Sequence, residues 1–416
     1  MSYIKDQDPA VYDILQHEQR RQSEGIELIP SENYVSPAVL EASGSIFTNK
    51  YSEGYPRKRY YGGQEFVDEV EELAIERAKK LFNAEHVNVQ PYSGSPANFA
   101  VYFALLNYGD TVLGLKLDQG GHITHGLPIS ASGTFYNFVP YLVDENTHLI
   151  DMEEVRKVAL EHKPKLIVAG FTAYPRSIDW AGFKKIADEV GALTMADISH
   201  TAGLIAGGVH PNPFDFGFDI VTTTTHKTLR GPRSAMIMCK QEFAKKIDRA
   251  VFPGLQGGPH DHTTAAKAIA FGEALEPAFK EYAAQVVKNA KVLGEELVSL
   301  GWNLITGGTD SHLLLADLSD VGVTGMQAEA ALDKAGITLN KNTVPYDKRG
   351  PFDPSGVRFG TPAVTTRGMK ENQMRTIARL MDEVIKNWDN DAVLEELRLK
   401  VKELCSGFPV PGIPHL

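Results

Sequence analysis

Apolar positions in this chain recur at two periods, and the change from one to the other divides it. Between residues 9 and 23, Val11, Ile14 and Leu15 fall at helical spacing on a strongly polar background, which predicts a helix with one sticky stripe. A longer helical pattern runs from Asp68 to Phe82. Short continuous apolar runs then predict strands at 86–90, 111–115, 166–170, 193–197, 220–224 and 235–238, with residues 218–221 also reading as buried strand. Helical patterns at 96–106, 151–161 and 181–190 separate many of them. That alternation predicts an α/β protein with a largely parallel sheet and helices on both faces. A helix-rich stretch from residue 263 to 300 leads into a smaller α+β remainder, so a boundary is expected near residue 280. The expected units are an N-terminal helical arm (1–30) that packs on a partner subunit, a large domain (31–280) and a small C-terminal domain (281–416).

Bulk properties narrow the function classes. With 416 residues, 43% hydrophobic and 23% charged, the chain reads as an ordinary globular protein with room for more than one domain. A net charge of −11 leaves no basic surplus for general nucleic-acid binding, so any anion must be held locally. Two cysteines, Cys239 and Cys405, fit a reducing compartment without a disulfide framework. The first 25 residues are charged and lack the apolar core of a signal peptide, and no apolar run approaches membrane-spanning length. The expectation is a cytoplasmic protein with neither nucleic acid nor membrane as partner.

Candidate chemistry gathers at the predicted strand ends. Thr222 to Thr228 places Lys227 after a β-branched strand among hydroxyls and beside His226. Partial burial disfavours an ammonium and frees the amine as a nucleophile, while hydroxyls and His226 suit a phosphate; together they suit a Schiff base with pyridoxal phosphate. A solvated lysine after a Thr-rich strand is the competing reading. Ser93, Gly94 and Ser95 precede Pro96 at a predicted helix start whose free N–H groups suit a phosphate, or form a plain helix cap. Asp197 ends a buried-looking strand, with His200 three residues on; an aspartate there suits a protonated pyridine nitrogen, though alone it reads as a turn residue. The loop from Lys116 to Gly126 brackets His122 with glycines, so that this ring suits stacking on a heteroaromatic group; solvated histidines are the alternative, and a zinc site is disfavoured because no cysteine lies nearby. Tyr51 to Gly63 concentrates aromatics, cations and glycines around Glu53, a candidate proton carrier, or forms a packing cluster. Arg358, flanked by Gly356 and Gly360, suits a two-pronged grip on an α-carboxylate, or a structural ion pair.

With SENY, NKYSEGYPRKRYYGG, GGHITHG, TTTTHKTLRGPR, FPGLQGGP and VRFGTPAVTTRG in one order, the chain closely resembles the serine (glycine) hydroxymethyltransferases over nearly its whole length. The resemblance implies the aspartate-aminotransferase superfamily fold, fold type I of the pyridoxal-phosphate enzymes: a large domain with a mostly parallel seven-stranded sheet, a small C-terminal domain, and homodimers, or dimers of dimers, with shared active sites. It implies reversible transfer of a hydroxymethyl group from L-serine to tetrahydrofolate, giving glycine and 5,10-methylenetetrahydrofolate, in one-carbon metabolism and glycine biosynthesis, with β-hydroxy amino acid cleavage as a side activity. By the same resemblance, Lys227 holds pyridoxal phosphate, Asp197 partners the pyridine nitrogen, His200 and Thr172 approach the ring, and His122 stacks on it. Ser93, Gly94, Ser95 and His226 resemble the phosphate cup, which Tyr51 and the Gly257–Gly258 backbone complete from the second subunit. Arg358 with Ser31 resembles the carboxylate grip, joined by His200 and Tyr61. Glu53 and Tyr61 match residues around the substrate hydroxyl, and Thr225 beside the lysine counts with the catalytic set. Folate contacts are implied at Glu53, Leu117, Gly120, Gly121, His122, Ile123, Asn342, Gly350, Pro351 and Phe352. No metal is implied.

The chain departs from the family pattern at Gln119, Thr172, Ser234-Ala235, His260-Asp261-His262 and Asp353-Pro354, near the cofactor and folate approaches. The alternatives at this stage are a folate-independent relative, such as a threonine aldolase, a transaldolase or an α-methylserine enzyme, and a non-catalytic binding protein on the same scaffold.

Overall fold

Strands buried on both faces need continuous apolar runs, and those runs form the central sheet. The computed structural model describes residues 2–413. Its seven-stranded sheet comprises β1 (His86–Asn88), β2 (Thr111–Leu115), β3 (Asn137–Tyr141), β4 (Leu166–Gly170), β5 (Leu193–Asp197), β6 (Ile220–Thr224) and β7 (Ala235–Cys239). Spatial order is β1-β7-β6-β5-β4-β2-β3. From β6 to β3 all neighbours are parallel, whereas β7 runs against both β6 and β1. Successive residues point to opposite cores: Leu113, Ile167 and Val221 to one, Val112, Val168 and Ile220 to the other.

Two differences from the sequence reading have clear causes. Strand β3 has no expected counterpart, because it is an edge strand, half-exposed and interrupted by Pro140, so it lacks the fully buried pattern. Phe218 and Asp219 are buried but precede β6; the Asp219 carboxylate accepts from the Thr194 backbone and hydroxyl, both at 2.9 Å, so it serves as a side-chain tie at the strand entrance.

The arm helix α1 (Pro9–Glu24) buries none of its residues, and Ile14 remains 66% exposed, so its apolar stripe faces outward in the single chain. Helix α2 (Glu65–Phe82) starts earlier than expected. Helix α3 (Gly94–Leu105) follows β1, and α4 (Asp261–Ala274) packs against α2.

A second, antiparallel sheet has the order β8 (Asn303–Leu304), β9 (Leu313–Asp317), β11 (Gly356–Gly360), β10 (Asn340–Asn342). Its core joins that of the large sheet through α5 (Pro277–Ser299). Phe279, Tyr282 and Val286 of α5 pack in the first core, and Ala290, Leu293 and Leu297 in the second. The change near residue 280 is therefore a continuous helix with one half in each core. The arm's end also differs from expectation: Ile26 and Leu28 belong to the second core, and Ile26–Glu27 pairs with Ile337–Thr338, since an apolar pair cannot be left on a solvated arm. Residues 1 and 414–416 of the expected arm and small domain lie outside the described residues.

Candidate active site

Parallel strands deliver their C-terminal ends to one sheet edge, and β3 and β4 lie on opposite sides of β2, which opens a crevice there. Residues leaving β2 (the His122 loop), β4 (Thr172), β5 (Asp197) and β6 (Lys227) converge on that edge. Because β1 is antiparallel to β7, which is antiparallel to β6, β1 also exits there and delivers Ser93.

The helix expected at Pro96 begins at Gly94, with Ser93 as an N-cap whose side chain makes no capping bond, so the first-turn N–H groups stay free for an anion. A Cβ on Gly94 would lie 2.8 Å from Thr224 Cγ2, so glycine lets this helix end close on β6. Gly121 is tighter: its Cβ would fall 1.9 Å from the Leu115 carbonyl oxygen, and this contact seats the His122 loop on the end of β2.

Lys227 is buried, and burial, with Arg358 and Arg233 adding to it and Asp197 opposing, brings its ammonium down to about 8. The amine is thus partly free near neutral pH. Burial works against the Asp197 carboxylate, yet His125, His122 and the Ser199 N–H hold it well below the usual carboxylate range. Asp197 Oδ2 accepts from Asn98 Nδ2 at 2.9 Å and lies 3.3 Å from His125 Nε2. Burial keeps His122 neutral, down to about 4, and its Nδ1 lies 2.7 Å from Thr124 Oγ1. Burial, with Lys227 adding, takes His200 well below its ordinary value and His226 to about 3.

Several buried polar atoms here have no hydrogen-bond partner among the described residues: Thr172 Oγ1, His200 Nε2 and His226 Nδ1, along with Gln119 Oε1. Such orphans are costly unless a ligand meets them. Arg358 is buried too, which brings its guanidinium down to about 10. It donates to Asn340 Oδ1 at 3.0 Å and the Thr172 carbonyl at 2.8 Å, and among the described residues it has no carboxylate partner, unlike a structural ion pair. Ser31 adjoins Pro30, whose Cβ lies 2.7 Å from where a Gly360 Cβ would fall, so it borders the end of β11. A buried amine, a free helix N-terminus, a buried anionic carboxylate and a guanidinium without a carboxylate partner among the described residues are groups that would fit a phosphorylated pyridine aldehyde joined to an amino acid. The donor atoms of His122, His125 and Asp197 also lie within 4.8 Å of one another, but Asn98 and Thr124 already engage two of these side chains.

Other expected residues fall outside this group. Thr225 donates its hydroxyl to the Pro232 carbonyl at 2.6 Å, so its proton holds the loop after Lys227. Tyr51, Glu53 and Tyr61 form a separate cluster: Tyr51 donates to Glu53 at 3.2 Å, its ring meets Tyr61 edge-on at 5.4 Å, and Gly257 and Gly258 lie against Tyr51. Among the described residues, no hydrogen bond ties that cluster to Lys227, Asp197 or Arg358. Leu117 and Ile123 are exposed on the His122 loop, and Gly350, Pro351 and Phe352 are exposed on their own turn, while Asn342 pairs with Gly356 on the edge of the second sheet. Sequence reasoning missed Asn98, His125, Asn340, Asn33 and His312, whose Nε2 lies 3.3 Å from His200 Nδ1. Asn98 carried one legible signal, an amide in the otherwise apolar run Ala97 to Leu105.

Comparison with known proteins agrees with the geometry. Residues 4–381 match a family model described as serine hydroxymethyltransferase. A curated protein of Desulfotalea psychrophila named serine hydroxymethyltransferase is 58% identical over 416 residues, covering 100% of this chain and 97% of that protein.

Proposed function

The chain belongs to the serine hydroxymethyltransferase family, and from that premise we propose how its residues divide the work. The reaction is reversible transfer of the hydroxymethyl group of L-serine to tetrahydrofolate, giving glycine and 5,10-methylenetetrahydrofolate, with pyridoxal phosphate as cofactor. When bound, the cofactor supplies an aldehyde for an amine and an electron-poor ring that stabilises negative charge on the substrate's α-carbon.

Lys227 is the attaching amine, partly unprotonated because of its burial. Ser93, Gly94, Ser95 and His226 hold the phosphate at the start of α3. Asp197 remains anionic to pair with the ring nitrogen, oriented by Asn98, and neutral His122 covers the ring face. His200 and Thr172 meet the ring substituents with their unpartnered atoms. Arg358 grips the α-carboxylate, with Asn340 fixing its plane and Ser31 alongside. Thr225 positions the lysine loop. The observation that carries this reading is the set of unpartnered Thr172, His200 and His226 atoms around a buried lysine.

The active unit is a homodimer, alone or paired into a dimer of dimers, in which Tyr51, Glu53, Tyr61, Gly257 and Gly258 of one copy complete the site of the other. Support comes from the half-exposed Tyr51 and Tyr61 and from exposed Ile46, Tyr60 and Phe66 on neighbouring turns, a surface apolar enough to need a partner. Folate enters over Leu117, Gly120, Gly121, His122, Ile123, Asn342 and the 350–352 turn, with Glu53 handling protons. The arm gives way to the body of the protein before Ile26, the large cofactor domain and the small domain share helix α5 across residue 280, and the protein works in the cytoplasm. No described helix is long and apolar enough to cross a membrane. Borohydride reduction followed by peptide mass mapping should mark Lys227, and glycine formation from serine should require tetrahydrofolate. A label elsewhere would overturn the residue assignment, and a folate-indifferent rate the folate subsite.

A further inference from the structure

An amino-acid substrate spans a fixed distance between amine and carboxylate, so the lysine and the arginine that receive its two ends must keep a fixed spacing. In this chain they come from different cores: Lys227 follows β6 of the large sheet, and Arg358 lies on β11 of the second. One half-buried junction joins them. Asn33, in the SENY segment two residues beyond Ser31, donates through Nδ2 to the Lys227 carbonyl at 3.0 Å and lies 2.7 Å from the Tyr282 hydroxyl. Its Oδ1 accepts from the Tyr34 backbone at 2.9 Å and from the Thr366 hydroxyl at 2.7 Å. Thr366 ends the helix Pro362–Thr366 that directly follows β11. Tyr282 in turn lies under the Arg230 guanidinium at 4.6 Å, and the Arg230 N–H donates to the same Lys227 carbonyl at 3.1 Å. Arg230 sits at a φ of 60°, so the loop after Lys227 turns at the point this junction secures.

We propose that Asn33 is a positioning residue that sets the lysine of the large domain in register with the carboxylate grip of the small one. Every polar group of its side chain is engaged, and its partners lie on the lysine loop, the bridging helix α5 and the chain leaving β11. An amide suits this post because it offers a donor for one segment and an acceptor for the other without adding charge beside Lys227. The proposal rests on Lys227 being the cofactor-bearing lysine.

The test uses the cofactor-loaded full-length enzyme with Asn33→Leu and Thr366→Val, both uncharged and matching the heavy-atom branching of the residues they replace. Borohydride labelling of the wild type comes first: no label on Lys227 there would overturn the underlying reading, whatever the variants do. With that label present, Asn33→Leu is expected to bind cofactor, to shift the pH midpoint of the lysine-linked cofactor absorbance, and to lower kcat/KM for serine by tenfold or more. Thr366→Val should move both readouts the same way by less, and the double variant should match Asn33→Leu alone, since the two act through one junction. Should Asn33→Leu fail to fold, Thr366→Val decides by the same two readouts. An unmoved midpoint with kcat/KM within twofold of wild type, or additive effects in the double variant, would overturn the proposal.

Discussion

Burial does chemical work at single residues. Lys227 comes down to about 8 and Lys267, fully buried and donating to Ser234 at 3.0 Å and to the Val89 carbonyl, to about 7. An unfolded chain keeps both protons until about pH 10.4. Between those values the unfolded state binds more protons at these two lysines, so their own contribution to the stability of the cofactor-free protein rises with pH through the window from about 7 to 10, while Glu27, raised by burial to about 8, and Cys239, raised by burial to about 12, contribute in the opposite sense. Above it, buried tyrosines such as Tyr141, held protonated by burial, reverse the trend. In thermal unfolding of the cofactor-free protein, the Tm of the wild type should gain on that of Lys267→Met as pH rises from 7 to 9.5; a difference that stays constant or shrinks would contradict the lowered Lys267. Arg358 yields a second expectation. A lysine there keeps the charge but loses the planar fork, so Arg358→Lys should raise the KM for serine by about tenfold to a hundredfold with cofactor affinity nearly unchanged. Equal losses in both would point to a structural arginine.

At the scale of elements, the site depends on close approaches that a sequence pattern does not display. The His122 loop seats on β2 only because Gly121 lacks a Cβ, and the Thr172 N–H donates to the Gly120 carbonyl at 2.7 Å, locking that loop to the end of β4. Gly121→Ala should lift the loop, costing about 1–3 kcal/mol of stability by overpacking. It should also weaken cofactor binding through loss of the His122 stack. Isothermal titration with pyridoxal phosphate checks this, and an unchanged affinity would mean that the loop does not cover the ring. The apolar runs of β2, β4, β5 and β6 were legible because both of their faces are buried, whereas edge strand β3 was not, having one side open to solvent. His125 and Asn340 were illegible for another reason: each touches its functional neighbour across a sheet edge or a strand pair rather than along the chain.

The whole molecule raises the question of shared sites. If Glu53 and Lys227 act across two copies, Lys227→Ala and Glu53→Gln are each nearly inactive as homodimers. Co-refolding them at equal amounts then rebuilds one intact site in each mixed dimer, for about a quarter of wild-type activity. Activity that stays at the level of the separate variants would place Glu53 and Lys227 in one copy's site or rule out exchange, and co-purification of differently tagged variants distinguishes these. Within one copy, the continuous helix α5 links the two cores.

By itself the sequence determined the strand–helix alternation, the lysine after a buried strand, and a run of motifs dense enough to name a family. Those features are local, written in side-chain period and order. Tertiary structure alone decided which atoms remain unpartnered around Lys227 and that Arg358 lacks a carboxylate among the described residues, that Ile26 and Leu28 join the second core, and that Asn33 spans the two. Each depends on groups far apart in the chain meeting in space, where burial and missing partners, rather than residue type, set what a side chain can do.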